Sequence, residues 1–474
     1  MLEIKYMKKV LVVLLAGVIA VSLKARETDI VADTLSQEMP LELTLEDALK
    51  IALSENVSVK VADQEVIRAG YAKKGTYAAL YPQIEGSASY QRTIKKQVMY
   101  MDFDMSSLAG GTEAVDPAVL PKNDGIEVGR WNTWSAGVSA AMPLVNAQLW
   151  KSLQISGQDV ELAVEKARGS RLQTVTEVKQ AFYTVLLAKA ALKVYKEVYD
   201  NAVTSFRQTE MRFNAQKASE LDYTRAKSLV ASAIPNVYDS ENSVFLSLWQ
   251  LKAVLGLDLD RDIDVSGSLL DLRDTMEQNP VSGDSLSLES NSSMRQLAIQ
   301  AEQLANTIKL QKAAYIPSLA VSFTYNVNAM TNDFNFSEYK WSPYSFVGLS
   351  LSIPIFSGGK RMNSIRQTQV QYKELKLQEE NTERQLRIAI RQYLNEMETA
   401  VKSLAAAEEA MVTADKAYSI ASKSYYVGRS TLTDLNDAQL ALTQAELSMC
   451  QTVYSYIVAK AGLEQVMGAD FTIE

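Results

Sequence analysis

The chain has 474 residues, of which 47% are hydrophobic and 22% are charged, and its formal charge at neutral pH is −8. This composition indicates a folded protein, and the acidic balance argues against a surface that binds nucleic acid. The chain has no His and only one Cys, which excludes His-based catalysis, Cys/His zinc sites and an intramolecular disulfide.

Residues 1–25 have the pattern of a secretory signal peptide. The basic residues Lys8 and Lys9 precede an apolar run at 10–21, and small residues follow this run. The alternative is a transmembrane anchor, which needs about 20 apolar residues. We therefore expect an exported protein whose next segment, 26–43, is extended. The only cysteine lies near the other end of the chain, so we expect no lipidated cysteine after the signal peptide.

The sequence contains an internal duplication. A shift of 235 residues aligns 56–90 with 291–325, and shifts of 211 and 212 align two later blocks in the same order. Repetition at a fixed offset indicates that one structural unit occurs twice. The matching pairs are Asn56/Asn291, Ser58/Ser293, Lys74/Lys309, Ala78/Ala313, Ala79/Ala314, Pro82/Pro317, Ser87/Ser322, Tyr90/Tyr325, Gly137/Gly348, Ser139/Ser350, Pro143/Pro354, Asp222/Asp434, Ala226/Ala438, Leu251/Leu463, Gly256/Gly468 and Asp258/Asp470.

Each repeat contains two segments in which apolar and small polar residues alternate. Phe323 and Leu349 belong to the apolar side, and the other side carries Ser, Gly, Asn and Thr. This alternation fits the half-buried strands of a soluble sheet as well as transmembrane β-strands. Trp and Tyr residues at the strand ends favour the membrane interpretation. The predicted strands are 84–92, 131–143, 319–328 and 344–354, and the predicted extracellular loops are 93–130 and 329–343.

Two long segments, 148–213 and 360–427, lack Pro and are rich in Gln, Glu, Lys, Leu and Ala. Each is predicted to form one α-helix about 100 Å long. Shorter helices are predicted to follow at 219–256 and 431–468, and Pro235 predicts a kink in the first of them. The helices alone would fit a structural coiled coil.

Between the repeats, residues 257–288 are rich in Asp, Ser and Gly with scattered Leu. Such a composition is typical of irregular structure. We expect this insert to pack outside the helices as an equatorial girdle. The alternative is a disordered linker.

Four strands are too few to close a membrane barrel, which needs at least about eight. Open strand edges cannot face lipid, because each unpaired backbone group there costs several kcal/mol. Membrane strands would therefore require a symmetric ring of copies. Two copies would give a barrel filled by its own side chains, and three would give one wide enough to enclose a lumen.

Two motifs resemble those of the TolC-like outer-membrane efflux protein family. Residues 354–361, PIFSGGKR, resemble the family's strand-to-helix junction, and residues 425–439, YYVGRSTLTDLNDAQ, resemble its helix-hairpin tip. The duplicated layout agrees with the family over roughly residues 44–470. The resemblance implies a mainly α protein with membrane β-strands. Each chain would be a two-repeat protomer of a trimeric 12-stranded β-barrel, which a long α-helical barrel continues into the periplasm.

The resemblance also implies an export channel with no enzymatic activity and no cofactor or metal. Its expected partners are two further copies of the chain, a periplasmic adaptor (membrane fusion) protein, an inner-membrane pump of the RND or ABC type, and outer-membrane lipid. The implied domains are 1–25 signal peptide, 26–43 N-terminal extended segment, 44–256 first repeat, 257–288 equatorial insert, 289–468 second repeat and 469–474 C-terminal tail.

The family's functional residues transfer to the helical tip of this sequence. Asp434 and Asp437 match acidic positions that form rings at the narrow periplasmic end. Asp222 and Tyr425 match a carboxylate and a phenol that hydrogen-bond across neighbouring helices and keep the tip closed. Ser430 departs from the pattern, since some members have Arg there. The residues expected to dock the adaptor are Gln216, Lys217, Val427, Gly428 and Arg429.

Two other classes of protein remain open from the sequence. A soluble periplasmic coiled-coil adaptor or scaffold would account for the helices but not for the four alternating strands. A secreted carbohydrate- or cell-wall-active enzyme would account for export, but its paired carboxylates have no recognisable site context.

Overall fold

A computed structural model describes residues 41–100, 126–273, 276 and 287–469. The predicted signal peptide, most of the predicted extended segment and the end of the C-terminal tail lie outside the described residues. The α-helices are α1 (Leu45–Glu55), α2 (Val57–Ala78), α3 (Ala147–Asn214), α4 (Glu220–Leu255), α5 (Ser292–Ala313), α6 (Lys360–Tyr426) and α7 (Leu432–Met467). The strands are β1 (Leu41–Leu43), β2 (Gln83–Arg92), β3 (Gln97–Met99), β4 (Ile126–Val128), β5 (Asn132–Val145), β6 (Ile263–Val265), β7 (Ser318–Thr331) and β8 (Ser342–Ser352).

The long and shorter helices of both repeats lie within one or two residues of their predicted bounds. Local side chains explain where they begin. Asn146 accepts a hydrogen bond from the Leu149 backbone N–H at 3.0 Å and so caps α3. Helix α4 continues through Pro235, where one backbone donor is missing. Among the described residues, no helix combines the length and the apolar character needed to cross a membrane.

The largest sheet has four antiparallel strands in the order β2-β5-β7-β8. Its register places Phe323 opposite Ala140 and Val347, and it places Leu349 opposite Val321. Directly opposed residues share a face, so the apolar side chains of all four strands lie together, as the alternation predicts. The other face carries Ser, Gly, Asn and Thr.

The predicted loops are partly wrong. Strand β7 continues to Thr331 and β8 begins at Ser342, so the connection between them is shorter than residues 329–343. The strand extends because Asn132 to Trp134 of β5 pair with Ala329 to Thr331, and Asn132 is almost fully buried. In the longer connection, β3 pairs with β4, while residues 101–125 lie outside the described residues.

Helix α3 lies at the centre of the helical layer. Lys196 forms a 2.9 Å ion pair with Glu241 of α4, and Asn201 Nδ2 donates to Gln439 Oε1 of α7 at 3.0 Å. The second half of α3 therefore lies between α4 and α7, and α6 packs beyond α7. Its first half lies between α2 and α5, with α6 beyond α5. Each half of the layer is thus a row of four helices with two open edges.

One face of the helical layer is covered by part of the predicted insert. Strand β6 pairs with β1, and a 3₁₀ turn follows at Leu269–Leu272. Ile263, Val265 and Leu269 are buried in the main hydrophobic cluster. Burial of these side chains is what holds this segment on the helices, so its described part is ordered by packing. Its place as an equatorial girdle stays a prediction.

A buried asparagine joins the helices at the same point of each repeat. Asn56 caps α2 and donates its amide to the Val254 carbonyl oxygen at 2.7 Å. Asn291 caps α5 and donates to the Val466 carbonyl oxygen at 2.6 Å. Asn56 and Asn291 are a matching pair of the sequence duplication, so the duplicated contact confirms the two-repeat architecture.

Two matching glycines allow this contact. Gly256 and Gly468 end α4 and α7 with φ values of 75° and 67°, a left-handed conformation that favours glycine. A Cβ on Gly256 would lie 2.6 Å from the Glu55 carbonyl oxygen, and one on Gly468 would lie 2.1 Å from that of Ser290. Any side chain at either position would push the helices apart.

Asn291→Ala is expected to lower the free energy of unfolding by about 1–3 kcal/mol, because the helix cap is lost and the partly buried Val466 carbonyl loses its donor. Asn56→Ala is expected to have a similar effect, since the contact is duplicated. Urea denaturation measures both. The matched control is Asn381→Ala on the exposed surface of α6. Equal stability of the Asn291 and Asn381 variants would contradict the assigned role.

Candidate functional site

The predicted site residues lie at the two turns that join each long helix to its shorter partner. Both turns end the long helix in the same way: the N–H of Lys217 donates to Arg212 O, and that of Arg429 donates to Ser424 O. The left-handed residue is Gly428 in the second turn but Gln216 in the first, with φ of 78° and 55°. Gln216 lacks the freedom of glycine, so the first turn is the more strained.

Asp222 and Asp434 occupy the same place in the two repeats. Each lies in the first turn of a shorter helix, where its carboxylate accepts a hydrogen bond from the capping hydroxyl, Ser219 at 2.7 Å and Thr431 at 2.7 Å. At α7 the Thr431 backbone also donates, and both hydrogen bonds lower the pKa of Asp434. Asp434 is therefore ionised at neutral pH.

Asp437 follows Asp434 by three residues and is exposed. Within the described part of the chain, its carboxylate has no hydrogen bond or ion pair. Residues three apart lie on one side of a helix, so Asp434 and Asp437 place two negative charges together near the tip. This is the arrangement that the sequence predicts.

Tyr425 is buried in a second hydrophobic cluster with Ala226, Leu432 and Leu435. Its hydroxyl lies 2.5 Å from Thr209 Oγ1 of α3. Tyr425 therefore joins the ends of the two long helices. Between described residues of one chain, Tyr425 and Asp222 form no hydrogen bond with each other, so their predicted contact would have to join neighbouring chains.

Arg212 is a residue of this site that sequence reasoning missed. Its guanidinium donates to the Tyr425 carbonyl oxygen at 2.7 Å and to that of Tyr426, and it lies 5.0 Å from the centroid of the Tyr425 ring. It therefore supplies a positive charge at the negative C-terminal end of α6. A basic residue in the last turn of α3 was the available signal, but the sequence does not show which helix end it would meet.

Ser430, which departs from the family pattern, donates its hydroxyl to the Ala421 carbonyl oxygen at 3.3 Å. All five residues predicted to dock an adaptor are exposed at the two turns. In the described part of the chain, no group of three or more acidic or cysteine side chains could hold a metal ion.

The comparisons with known proteins agree on one family. The family described as outer membrane efflux protein matches residues 48–257 and 285–469. The outer membrane protein TolC of Vibrio cholerae is 22% identical over 336 residues, which are 70% of this chain and 76% of that protein. The alkaline protease secretion protein AprF of Pseudomonas aeruginosa is 19% identical over 339 residues, 71% of this chain and 70% of that protein.

The fold agrees with a solved outer-membrane channel. The crystal structure of the CmeC channel of Campylobacter jejuni superposes with a TM-score of 0.70 at 17% sequence identity. The match covers 92% of this chain and 90% of that one.

Proposed function

Because the chain belongs to the outer membrane efflux protein family, we propose that three copies of it assemble into one channel whose helical tip forms the gate. The protein is an export channel of the outer membrane that extends into the periplasm. The observation that carries the trimer is a four-stranded sheet with one exposed apolar face and two open edges, continued by long helices.

The strand edges favour a ring. Strands β2 and β8 are the two edges of the sheet, and unpaired edges are unstable in lipid. Pairing β2 of each copy with β8 of the next removes every edge. Three copies then give about twelve strands, enough to enclose a lumen.

The helical edges point to the same arrangement. In the half of the helical layer that carries the turns, α4 and α6 are the two edge helices. Helix α4 lies on the same side as strand β2, and α6 lies on the same side as β8. Tyr238, Phe245 and Trp249 form an apolar stripe on α4, with exposed fractions of 65%, 51% and 40%. Contact between α4 of one copy and α6 of the next would bury this stripe.

The apolar face of the sheet is suited to lipid. Val347, Leu349 and Leu351 of β8 are exposed by 72%, 71% and 61% within one chain. A closed barrel with this face outward places them in the hydrocarbon and directs the small polar face to the lumen. The proposed lumen then carries few charged side chains, so charge selectivity would arise elsewhere along the path.

We place the gate at Asp222, Tyr425, Asp434 and Asp437, with Arg212 added from the structure. The contacts of Arg212 and Thr209 with Tyr425 hold the ends of the two long helices together. A few polar contacts between long helices form an element with two arrangements, which is what a closed-to-open switch requires.

The exposed turns are the proposed docking point for a periplasmic adaptor, which would connect the channel to an inner-membrane pump of the RND or ABC type. The exposed positions of Gln216, Lys217, Val427, Gly428 and Arg429 support this role. The relative named as a protease secretion protein makes secretion of a protein a second candidate cargo beside efflux of small molecules.

Replacing Asp434 and Asp437 by Ala is expected to weaken cation selectivity and to weaken block by multivalent cations. The reason is that three copies of the pair would focus a negative potential at the narrow end. Reversal potentials in a salt gradient across a planar bilayer measure the selectivity. The control is the double change of Glu374 and Glu409, two exposed carboxylates of α6, to Ala. Equal cation selectivity in both double variants would contradict the proposed acidic ring.

Expression in a Gram-negative host tests the proposed assembly. We expect the protein in the outer-membrane fraction and, before boiling, as a trimer on a denaturing gel. A soluble periplasmic monomer would instead favour the scaffold alternative.

A further inference from the structure

A groove runs along the helical layer close to the proposed gate. Helices α4 and α7 form its walls and α3 its floor, and its volume is about 800 Å³. A volume of this size is typical of sites for drug-sized molecules. The groove is distinct from the hydrogen-bonded contacts of Arg212 and Tyr425.

The groove lies on the broad face of the layer opposite the described part of the insert. Glu446 and Cys450 of α7 line a smaller cavity beside the 3₁₀ turn of the insert. Gln444, Ser448 and Gln451 line the groove. Successive residues of an α-helix are rotated by about 100° around its axis, so the cavity residues and the groove residues lie on opposite sides of α7. The groove therefore opens on the face opposite the described part of the insert.

Assembly would leave the groove open. On α4, Leu229, Ser232 and Asn236 line it. Phe245 and Trp249 belong to the exposed apolar stripe that is proposed to meet the next copy. The same rotation of about 100° per residue places this stripe on the opposite side of α4. Neighbouring copies would meet along the stripe and leave the groove accessible.

The lining has the chemistry of a site for an amphipathic cation. Among the described residues that line the groove, Asp437 is the only charged one, and no described Lys or Arg forms an ion pair with it. The half-buried rings of Tyr195 and Tyr418 and the side chains of Leu440 and Leu447 supply apolar surface. An anion would be repelled, whereas a cation with an apolar body would meet both a carboxylate and aromatic rings.

We propose that this groove faces the tunnel and binds drug-sized amphipathic organic cations on their way to the outer membrane. The inference rests on the proposed channel function and adds a substrate class to it. Asp437 would then anchor the charge of the cargo in addition to attracting small cations.

The test is channel block by tetraphenylphosphonium in planar bilayers, with tetramethylammonium as the small monovalent comparison. We expect tetraphenylphosphonium to block at concentrations at least about tenfold lower, because only its phenyl groups use the apolar walls. Ser232→Trp narrows the groove and is expected to weaken this block about tenfold. The same variant is expected to retain block by hexaamminecobalt(III), a compact trivalent cation that needs only the carboxylates.

Further variants separate charge from shape. Asp437→Asn is expected to weaken block by both tetraphenylphosphonium and hexaamminecobalt(III). Glu409→Gln, which removes an exposed carboxylate of α6 outside the groove, is expected to change neither.

Three results would overturn the inference. Equal block by tetraphenylphosphonium and tetramethylammonium in a conducting channel would do so and would leave the channel function intact. Unchanged tetraphenylphosphonium block in Ser232→Trp would show that shape plays no part. If tetraphenylphosphonium bound the protein in equilibrium dialysis but did not block the channel, the groove would lie outside the tunnel. A protein that conducts no potassium would instead remove the proposed function itself.

Discussion

Arg212→Ala is expected to increase the open population of the channel about tenfold or more. The guanidinium of Arg212 donates to two carbonyl oxygens at the end of α6 and lies over the ring of Tyr425. A hydrogen bond from a charged group contributes about 1.5–3 kcal/mol, and each 1.4 kcal/mol changes a two-state ratio tenfold. Single-channel conductance and open probability in planar bilayers measure the effect.

The variants of the gate are expected to differ in strength. Tyr425→Phe removes one neutral hydrogen bond to Thr209, and the Thr209 hydroxyl retains the Ser205 carbonyl oxygen at 2.8 Å. Its effect on opening should therefore be smaller than that of Arg212→Ala. Asp222→Ala is also expected to raise conductance, because it removes the carboxylate that accepts the Ser219 hydroxyl at the start of α4 and any contact with a neighbouring copy.

Arg207→Ala is the matched control for the gate. Arg207 is exposed on α3, five residues before Arg212. If both arginine variants open the channel equally, or if neither changes its open probability, then Arg212 does not hold the gate closed. Either result would leave the proposed channel function unaffected.

Leu349→Arg is expected to destabilise the assembled barrel by about 2–4 kcal/mol in each copy, which is the cost of Arg at the middle of a membrane. Leu349 lies in the middle of β8 on the apolar face and is largely exposed within one chain. The measurement is the fraction of heat-resistant trimer, or the urea midpoint of protein folded into vesicles.

Ser350→Arg provides the control for the two faces of β8. Ser350 is the next residue along the strand and belongs to the small polar face. This variant should assemble and shift the channel towards anions, because the added charges would lie in the lumen. Normal assembly of Leu349→Arg together with failure of Ser350→Arg would mean that the two faces are assigned the wrong way round.

Much of the fold could be predicted because the local residue patterns agree with the secondary structure that each segment adopts. Gly428 marks the end of one long helix, and the caps Ser219 and Thr431 mark the beginnings of the shorter helices, so these bounds follow from the chemistry of the residues. The faces of the strands follow from strict alternation, which has no other regular explanation over ten residues.

The parts that could not be predicted depend on contacts between distant segments. The extension of β7 to Thr331 requires its pairing with Asn132, and no local pattern records that pairing. The role of Arg212 depends on the closeness of the α3 and α6 ends. In the sequence, Asn56 and Asn291 were visible only as a matching pair, since their amides donate to backbone carbonyls that lie 198 and 175 residues away.

The central claim is that three copies surround one lumen lined by the small polar face. Cysteine labelling tests it directly, because the single native Cys450 is buried and can be changed to Ser. In that background, Ser350→Cys channels in a planar bilayer would be exposed to a charged, membrane-impermeant methanethiosulfonate. The account predicts three successive decreases in the conductance of one channel and none for Leu349→Cys. A channel with a different number of steps, or one in which only Leu349→Cys responds, would contradict it.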